Sequence, residues 1–181
     1  TFSGEINEWA SFPDYIDYRD GSDRFESMAA MMPMAIPLPV TGSGDPEVAI
    51  GNVVTVDFFQ TLDVDPVLGR DFMPTEAEPN AAGVIIISHG FWQRRFGGAP
   101  EAVGSILNIS EPNLSDLPVT VIGIMPRGFR FRYDTDFWLA VRRGMLDTET
   151  RRSHSWQVIG QLQEGMTLDH AQAQIDVISA Q

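Results

Sequence analysis

The three histidines, His89, His154 and His170, are the side chains best suited to acid–base or metal chemistry near neutral pH. No two of them lie two or four positions apart and no HExxH motif is present, so no helix-borne pair of metal ligands is predicted. His89 follows an aliphatic run, at the kind of strand-to-helix turn where an α/β-hydrolase carries its nucleophile. The segment Ile87–Phe91 lacks the full Gly-x-Ser-x-Gly frame of a nucleophile elbow, which favours Ser88 as the cap of a helix beginning at His89. His154 and His170 are interpreted as surface residues.

Carboxylates are plentiful, and most of them lie in predicted loops. Alternating acids could bind calcium, but no segment has the EF-hand register with its central glycine. The pairs Asp63-x-Asp65 and Asp134-x-Asp136 are therefore interpreted as solvated loop acids. A glycosidase-like carboxylate pair stays open, because such partners meet only in space. The other acidic loop pairs are Glu76 with Glu78 and Asp147 with Glu149.

Missing residue types exclude several kinds of chemistry. The sequence has no cysteine, which excludes thiol nucleophiles, disulfides and cysteine-ligated zinc. All 12 basic residues are arginines, so no lysine is available as a general base or for a Schiff base. The 25 acidic residues give a net charge of −13, and such a body without a basic stripe is repelled by nucleic acid. The segment Gly42-Ser43-Gly44 lacks the lysine and the following helix of a phosphate loop, so it is interpreted as a hairpin turn.

The composition is that of a folded protein, with 43% apolar and 20% charged residues among 181. No stretch approaches the roughly 20 apolar residues that a membrane helix needs. The longest clean apolar run is Val84–Ile87, which has the length of a strand. Because the chain begins with Thr1 and not with methionine, we expect it to be a piece of a longer protein.

Capping residues predict four helices. One begins near Ser11, with a proline and an aspartate in its first turn, and ends near Gly21. A short one follows Asp57, and another follows Ser88 and runs to Phe96. A last helix is capped by Thr167 and is amphipathic, with its apolar residues at Leu168, Ala171, Ile175 and Ile178.

The strands predicted between these helices do not alternate with them regularly, which favours an α+β fold over a doubly wound sheet. Strand-plus-amphipathic-helix elements lie at both ends of the chain and the middle is rich in strands, so one subdomain is expected to be inserted within another. The predicted strands are an irregular edge strand within Phe25–Val40, its hairpin partner Val48–Val56, and then Val84–Ile87, Ser105–Ser110, Val119–Met125, Phe137–Val141 and Trp156–Leu162.

Large apolar side chains are assigned to the core. The aromatic residues Phe91, Trp92, Trp138 and Trp156 fall inside apolar elements, so core packing is favoured over a sugar-binding platform. The methionines of Met28–Met34 are the ambiguous case, because methionine-rich surfaces adapt to varied partners and methionine also fills gaps in cores.

A series of segments resembles the MacB-like periplasmic core domain of ABC-transporter permeases. The resemblance runs over residues 11–176 and is densest in Ile87–Gly98. Two departures from the family pattern are Asp57, where asparagine is usual, and a longer loop at Glu111–Pro118. The matching segments are Ser11–Asp20, Arg24–Ala30, Val56–Leu62, Pro66–Phe72, Ile87–Gly98, Val103–Gly104, Val119–Pro126, Gly128–Phe129, Phe137–Leu139, Val158–Leu162, Gly165–Leu168 and Ala171–Ala173.

The resemblance implies a porter-like subdomain built from both chain ends, residues 1–60 and 151–181, with an inserted smaller β-rich α/β subdomain at residues 61–150. It implies a non-catalytic extracytoplasmic domain of an inner-membrane ABC permease, with one membrane helix before Thr1 and three after Gln181. No catalytic residue, cofactor or metal is expected, and the partner-binding residues stay unknown.

The partners that the resemblance implies are the permease's own membrane helices and an ABC ATPase domain or subunit, while a periplasmic adaptor protein is left open. The domain would couple cytoplasmic ATP hydrolysis to export or to lipoprotein or peptide handling outside the membrane. Two alternatives remain. One is a free-standing periplasmic ligand-binding module with a pocket at Trp138 or Trp156, and the other is a secreted hydrolase that uses His89 and an unidentified carboxylate.

Overall fold

One β-sheet of ten strands organises the computed structural model, in which residues 9–110, 116–143 and 151–179 are described. Helices and strands are mixed without regular alternation, so the predicted α+β class is confirmed. The strands are β1 (Trp9–Ala10), β2 (Phe25–Met31), β3 (Ile36–Gly42), β4 (Glu47–Val54), β5 (Leu68–Gly69), β6 (Gly83–Ile87), β7 (Ile106–Ile109), β8 (Leu117–Ile124), β9 (Phe137–Ala140) and β10 (Trp156–Leu162). The α-helices are α1 (Phe12–Gly21), α2 (Phe58–Thr61), α3 (His89–Phe96) and α4 (Leu168–Ser179), and 3-10 helices cover Pro74–Ala77 and Pro100–Ala102.

All four predicted helix starts are confirmed, and three of the four predicted caps form their side-chain hydrogen bond. Ser11 forms a capping box with Asp14, whose N–H donates to the Ser11 hydroxyl at 3.1 Å. The Ser88 hydroxyl accepts from the N–H of Phe91 at 3.1 Å, and the Thr167 hydroxyl accepts from the N–H of His170 at 3.3 Å.

Two details of the helix predictions are wrong. Asp57 does occupy the N-cap position of α2, but its carboxylate makes no capping hydrogen bond. The amphipathic face of α4 is shorter than predicted: Ala171 and Ile175 are buried, whereas Leu168 in the first turn is 47% exposed. An exposed first turn is consistent with a face that meets the sheet only from its second turn onward.

The prediction of one irregular edge strand within Phe25–Val40 is also wrong, because two strands form there and both lie inside the sheet. Strand β2 lies between β10 and β4, and β3 lies between β4 and β7. The prolines are tolerated because Pro39 faces β7, where its carbonyl accepts from the N–H of Ser110 at 3.0 Å. Because the backbone groups of successive residues in a strand point to opposite neighbours, those of Pro37 point to the same side as those of Pro39. The pairing with β7 begins only at Val40, so Pro37 has no partner strand there that would need its missing N–H.

Six of the strands close into a ring in the order β4-β3-β7-β8-β6-β9. The ring closes where Gly51–Val54 of β4 pairs in parallel with Phe137–Ala140 of β9. Strand β6, between β8 and β9, is buried at all five residues, which confirms the predicted buried strand. The interior is apolar and is sealed at one end by Phe91 of α3; its buried members include Leu38, Val40, Ile85, Ile87, Leu107, Ile109, Val121, Phe137 and Leu139.

Four strands lie outside the ring: β5 pairs with β8, whereas β1, β10 and β2 extend the sheet away from the ring. The first described residue, Trp9, begins β1, and the last helix, α4, packs on this part of the sheet. Helices α1 and α4 pack on one face, and the Tyr18 and Ser179 hydroxyls meet at 2.9 Å. On the other face, Met31 packs with the phenylalanines of α2. Met28 and Met31 are buried core residues, while Met34 is 59% exposed. The division at residues 60 and 150 stays a prediction.

Gly51 is the residue that lets the ring close. A Cβ placed there would lie 2.3 Å from Cζ of Phe137, which is itself buried in the ring interior. We expect Gly51→Ala to lower the free energy of unfolding by about 1–3 kcal/mol, because the buried ring has no room to move away. Gly90 of α3 is the matched control, since its added Cβ would meet only the Ser88 hydroxyl, at 3.9 Å.

We expect Gly90→Ala to raise the free energy of unfolding by about 0.5 kcal/mol, because alanine loses less backbone entropy in a helix. Urea unfolding curves of the two variants and the wild type provide the measurement. Equal midpoints for the two variants would show that the approach of β4 to β9 does not limit stability.

Candidate functional site

His89 lies at the first position of α3, directly after the buried strand β6. Its ring meets the edge of the Trp92 ring, with the centroids 5.3 Å apart. The hydroxyl of the preceding Ser88 is occupied as the helix cap, as the sequence predicts. A serine that accepts the helix N–H in this way is a structural residue, and it does not resemble an exposed nucleophile.

A groove of about 420 Å³ lies in front of His89. One wall is the start of α3, and the other is the turn at residues 126–130 together with Asp134 and Asp136. This groove brings together His89 and one of the acidic pairs that the sequence singles out. The hydrolase alternative would require one of these carboxylates to contact His89.

Both carboxylates of the groove have other partners. Asp136 accepts from the N–H of Ile50 at 2.9 Å and pairs with Arg94 at 3.0 Å. Asp134 pairs with Arg130 at 3.1 Å on the exposed surface. In residues 9–110, 116–143 and 151–179, neither carboxylate is hydrogen-bonded to His89, so the base–carboxylate contact of a catalytic triad is not formed there.

The prediction that the paired acids are solvated is wrong for Asp136 and for Glu76. Glu76 is only 7% exposed, and it holds Arg70 through two hydrogen bonds of 2.6 and 3.2 Å. Asp63 and Asp65 are exposed as predicted, whereas Asp147, Glu149 and most of the loop that begins at Glu111 lie outside the described residues. Within the described part, no group of three or more histidine and acidic side chains could hold a metal ion.

The two tryptophans proposed for a ligand pocket are core residues, as the packing interpretation predicts. Trp138 is 2% exposed and contacts the rings of Phe59 and Phe129, with centroid distances of 5.3 and 5.5 Å. Trp156 is 3% exposed and packs edge-on against Phe12 at 5.2 Å. Neither ring presents a face to solvent, so neither can act as a stacking platform for a ligand.

An ion-pair network that the sequence analysis missed ties α3 to the ring. Glu47 of β4 accepts from Nε of Arg94 at 2.9 Å and from Nη1 of Arg95 at 3.1 Å. The side chain of Arg95 is 1% exposed, and its Nη1 also donates to the carbonyl of Asp45 at 2.7 Å. The adjacent arginines of α3 were visible in the sequence, but their partner is separated from them by nearly fifty residues.

Burial works against the negative charge of Glu47. The hydrogen bonds and charges of Arg94 and Arg95 outweigh this effect and hold the pKa of the Glu47 carboxyl below its usual range. Nε and Nη2 of Arg95 have no hydrogen-bond partner within the described residues, so Glu47 supplies the carboxylate for an otherwise poorly solvated cation. The network is consistent with a structural clamp between helix and strand.

The chain is similar to known extracytoplasmic domains in both sequence and fold. The sequence matches the family model of the MacB-like periplasmic core domain over residues 3–178. The periplasmic region of MacB from Actinobacillus actinomycetemcomitans is 9% identical and superposes with a TM-score of 0.67, covering 96% of this chain and 74% of that one. The extracellular domain of the noncanonic ABC-type transporter YknZ from Gram-positive bacteria is 17% identical, with a TM-score of 0.62 and coverage of 91% and 77%. A comparison with curated proteins gave no match.

We expect Glu47→Gln to lower the free energy of unfolding by about 1–3 kcal/mol at neutral pH, because it leaves the buried guanidinium of Arg95 without a carboxylate. The matched control is Asp134→Asn, which removes an exposed ion pair and should change the free energy by less than about 0.5 kcal/mol. Urea unfolding measures both variants.

The lowered pKa of Glu47 also determines how its contribution to folding stability depends on pH. Its contribution to stability is fully present above the ordinary carboxyl pKa of 4.5 and is lost as the pH falls through the lower pKa of the folded state. The difference between wild type and Glu47→Gln should therefore shrink in strong acid. A difference that stays constant there would contradict the assignment.

Proposed function

This chain belongs to the family of MacB-like periplasmic core domains, and we propose that it is a mechanical relay within an ABC-transporter permease. In this role it lies outside the cytoplasm, between membrane helices of the full-length protein, and passes movements driven by a cytoplasmic ATPase to the substrate or to an adaptor protein. The observation that carries the proposal is the family match over residues 3–178, nearly the whole chain.

The connection between the two parts of the sheet supports a relay. The described chain begins in β1 and ends in α4, which packs on the β1–β10–β2 part, so a pull on the ends first reaches this part. This part is joined to the ring where β2 meets β4. The N–H of Met32 donates to the carbonyl of Val53, and the N–H of Thr55 donates to the carbonyl of Ala30, both at 2.9 Å. The Thr55 hydroxyl accepts from the N–H of Ala30 at 3.0 Å and is buried.

These bonds make the junction short and stiff, because hydrogen bonds in a dry environment are stronger than those in water. A displacement at the chain ends would therefore move the ring as a body. The ring interior is filled with close-packed aliphatic and aromatic side chains, which transmit strain with little compression.

The charge of the domain supports a position away from the lipid surface. With a net charge of −13, the chain is repelled by anionic headgroups. Within the described ranges, no helix is long and apolar enough to cross a membrane. We infer that the domain extends from the bilayer and reaches partners there.

A non-catalytic role is supported by the partners of the two acidic residues that line the groove in front of His89. Asp136 is committed to Ile50 and Arg94, and Asp134 to Arg130. A free-standing ligand-binding module is less well supported, because Trp138 and Trp156 have no exposed face. The hydrolase alternative depends on His89 finding a carboxylate that the described residues do not offer it.

Replacing Thr55 tests the relay directly in the permease that contains this chain, reconstituted with its ATPase. We expect Thr55→Val to reduce substrate-stimulated ATP hydrolysis and transport by several-fold while basal ATP hydrolysis is retained, because the variant leaves the N–H of Ala30 without its side-chain acceptor. Thr135→Val, in the loop away from the junction, is the matched control. Wild-type coupling in Thr55→Val would contradict transmission through this junction.

A screen of the purified domain tests the hydrolase alternative. We expect neither the wild type nor His89→Ala to release product from chromogenic esters, glycosides or peptides above the buffer rate. Circular dichroism shows whether both proteins are folded. Turnover by the wild type that disappears in His89→Ala would establish a hydrolase and would overturn the relay as the domain's sole function.

A further inference from the structure

A small cleft separates helix α1 from the 3-10 helix Pro74–Ala77, and it has a volume of about 140 Å³. A cavity of roughly 150 Å³ holds a benzene-sized molecule, so the cleft has room for one small ring or branched chain. The walls are mainly apolar and come from four separate segments of the chain. The apolar lining residues are Phe12, Ile16, Val56, Pro74, Ala77 and Val141.

Asp57 brings the only carboxylate among the lining residues into this apolar surface. Burial raises the pKa of the Asp57 carboxyl, and only part of this effect is offset by the charge of Arg19 and by the residue's own backbone N–H. The carboxylate is not needed by α2, because it makes no capping hydrogen bond. The cleft thus contains a half-buried carboxylate that has no direct ion-pair partner among residues 9–110, 116–143 and 151–179.

Two cations, Arg19 and Arg143, line the cleft together with Asp57, and the charge of Arg19 offsets part of the effect of burial on the Asp57 pKa. Arg19 donates its Nε to Asp20 at 2.8 Å, so its charge is largely balanced by that residue. Arg143 is exposed at the rim, where water screens its charge. The carboxylate therefore stays available to a cation that enters from solvent.

Neighbouring acids strengthen the negative potential. Burial raises the pKa of Asp71 to about 6, and the charges of Asp65, Asp57 and Glu76 contribute to this shift, against a hydrogen bond from the N–H of Phe72. Arg70 lies in the same stretch, but it is held by both carboxylate oxygens of Glu76. These acids add negative charge near Asp57, although none of them lines the cleft itself.

We propose that this cleft binds a small apolar primary amine, with the ammonium on the Asp57 carboxylate and the hydrocarbon part against the walls formed by α1 and the 3-10 helix. The size of the cleft sets the limit on the hydrocarbon part, and the Asp57 carboxylate is the group that would distinguish an ammonium from a neutral molecule of the same shape. The inference does not depend on the mechanical role, because it concerns only contacts within the domain.

Benzylammonium is the probe for this site, and benzyl alcohol is its neutral counterpart of nearly the same shape. Titration of the ¹⁵N-labelled domain should give saturable shifts for the amides of Thr55, Val56 and Ala77. We expect benzyl alcohol to bind about tenfold or more weakly, because it cannot pair with the carboxylate. The affinity for benzylammonium should fall in acid as Asp57 becomes protonated.

Asp57→Asn tests the carboxylate, and we expect it to weaken benzylammonium binding about tenfold or more. The matched control Asp65→Asn removes a nearby exposed charge and should change the affinity by less than about twofold. Ala77→Leu fills the cleft and should abolish binding while Asp57 is retained. Thermal unfolding checks that each variant is folded.

Three results would overturn the proposal: equal affinity of Asp57→Asn and wild type, equal affinity of the amine and the alcohol, or no saturable shifts around the cleft in the wild type. If Asp57→Asn did not fold, the comparison of amine with alcohol and the Ala77→Leu variant would still decide the matter. None of these results bears on coupling through Thr55, so failure here is distinguishable from failure of the relay.

Discussion

The close approach of strand β4 to Phe137 is the constraint on which the rest of the structure depends. Glycine at position 51 allows the ring of Phe137 to lie where any side chain would stand, and this lets β9 pair with β4 and close the ring. The same strand β4 pairs with β3 and, at Val54, with Met31 of β2. One strand thus joins the ring to the β1–β10–β2 part of the sheet, and the interior of the ring is packed around its closure.

The charged residues reinforce the same arrangement. Glu47 at the start of β4 holds α3 through Arg94 and Arg95, and Arg94 also reaches Asp136 at the entrance to β9. Helix α3 is therefore fixed to the two strands that close the ring, and Phe91 from this helix seals the interior. Asp136, one of the acids singled out in the sequence, serves to hold elements together, since it contacts both Ile50 and Arg94.

Local signals in the sequence predict local structure well. Ser88 and Gly97 mark the two ends of α3, and Ser11 marks the start of α1, because caps depend on neighbours three or four residues away. Pairings between distant segments could not be predicted in the same way. The location of β3 inside the sheet depends on which side of the strand its prolines face, and the burial of Glu76 and Arg95 depends on partners that folding supplies. The cleft at Asp57 was equally invisible, since its walls come from four segments that meet only in the folded chain.

Helices α1 and α4 meet on the part of the sheet that lies outside the ring. The hydroxyl of Tyr18 in α1 contacts that of Ser179 in α4, and both helices pack on the β1–β10–β2 part of the sheet and not on the ring. Loops on the far side of the ring can lengthen, shorten or change composition without altering this contact. Such an arrangement lets the loops of the ring vary while the packing of α1 against α4 is preserved.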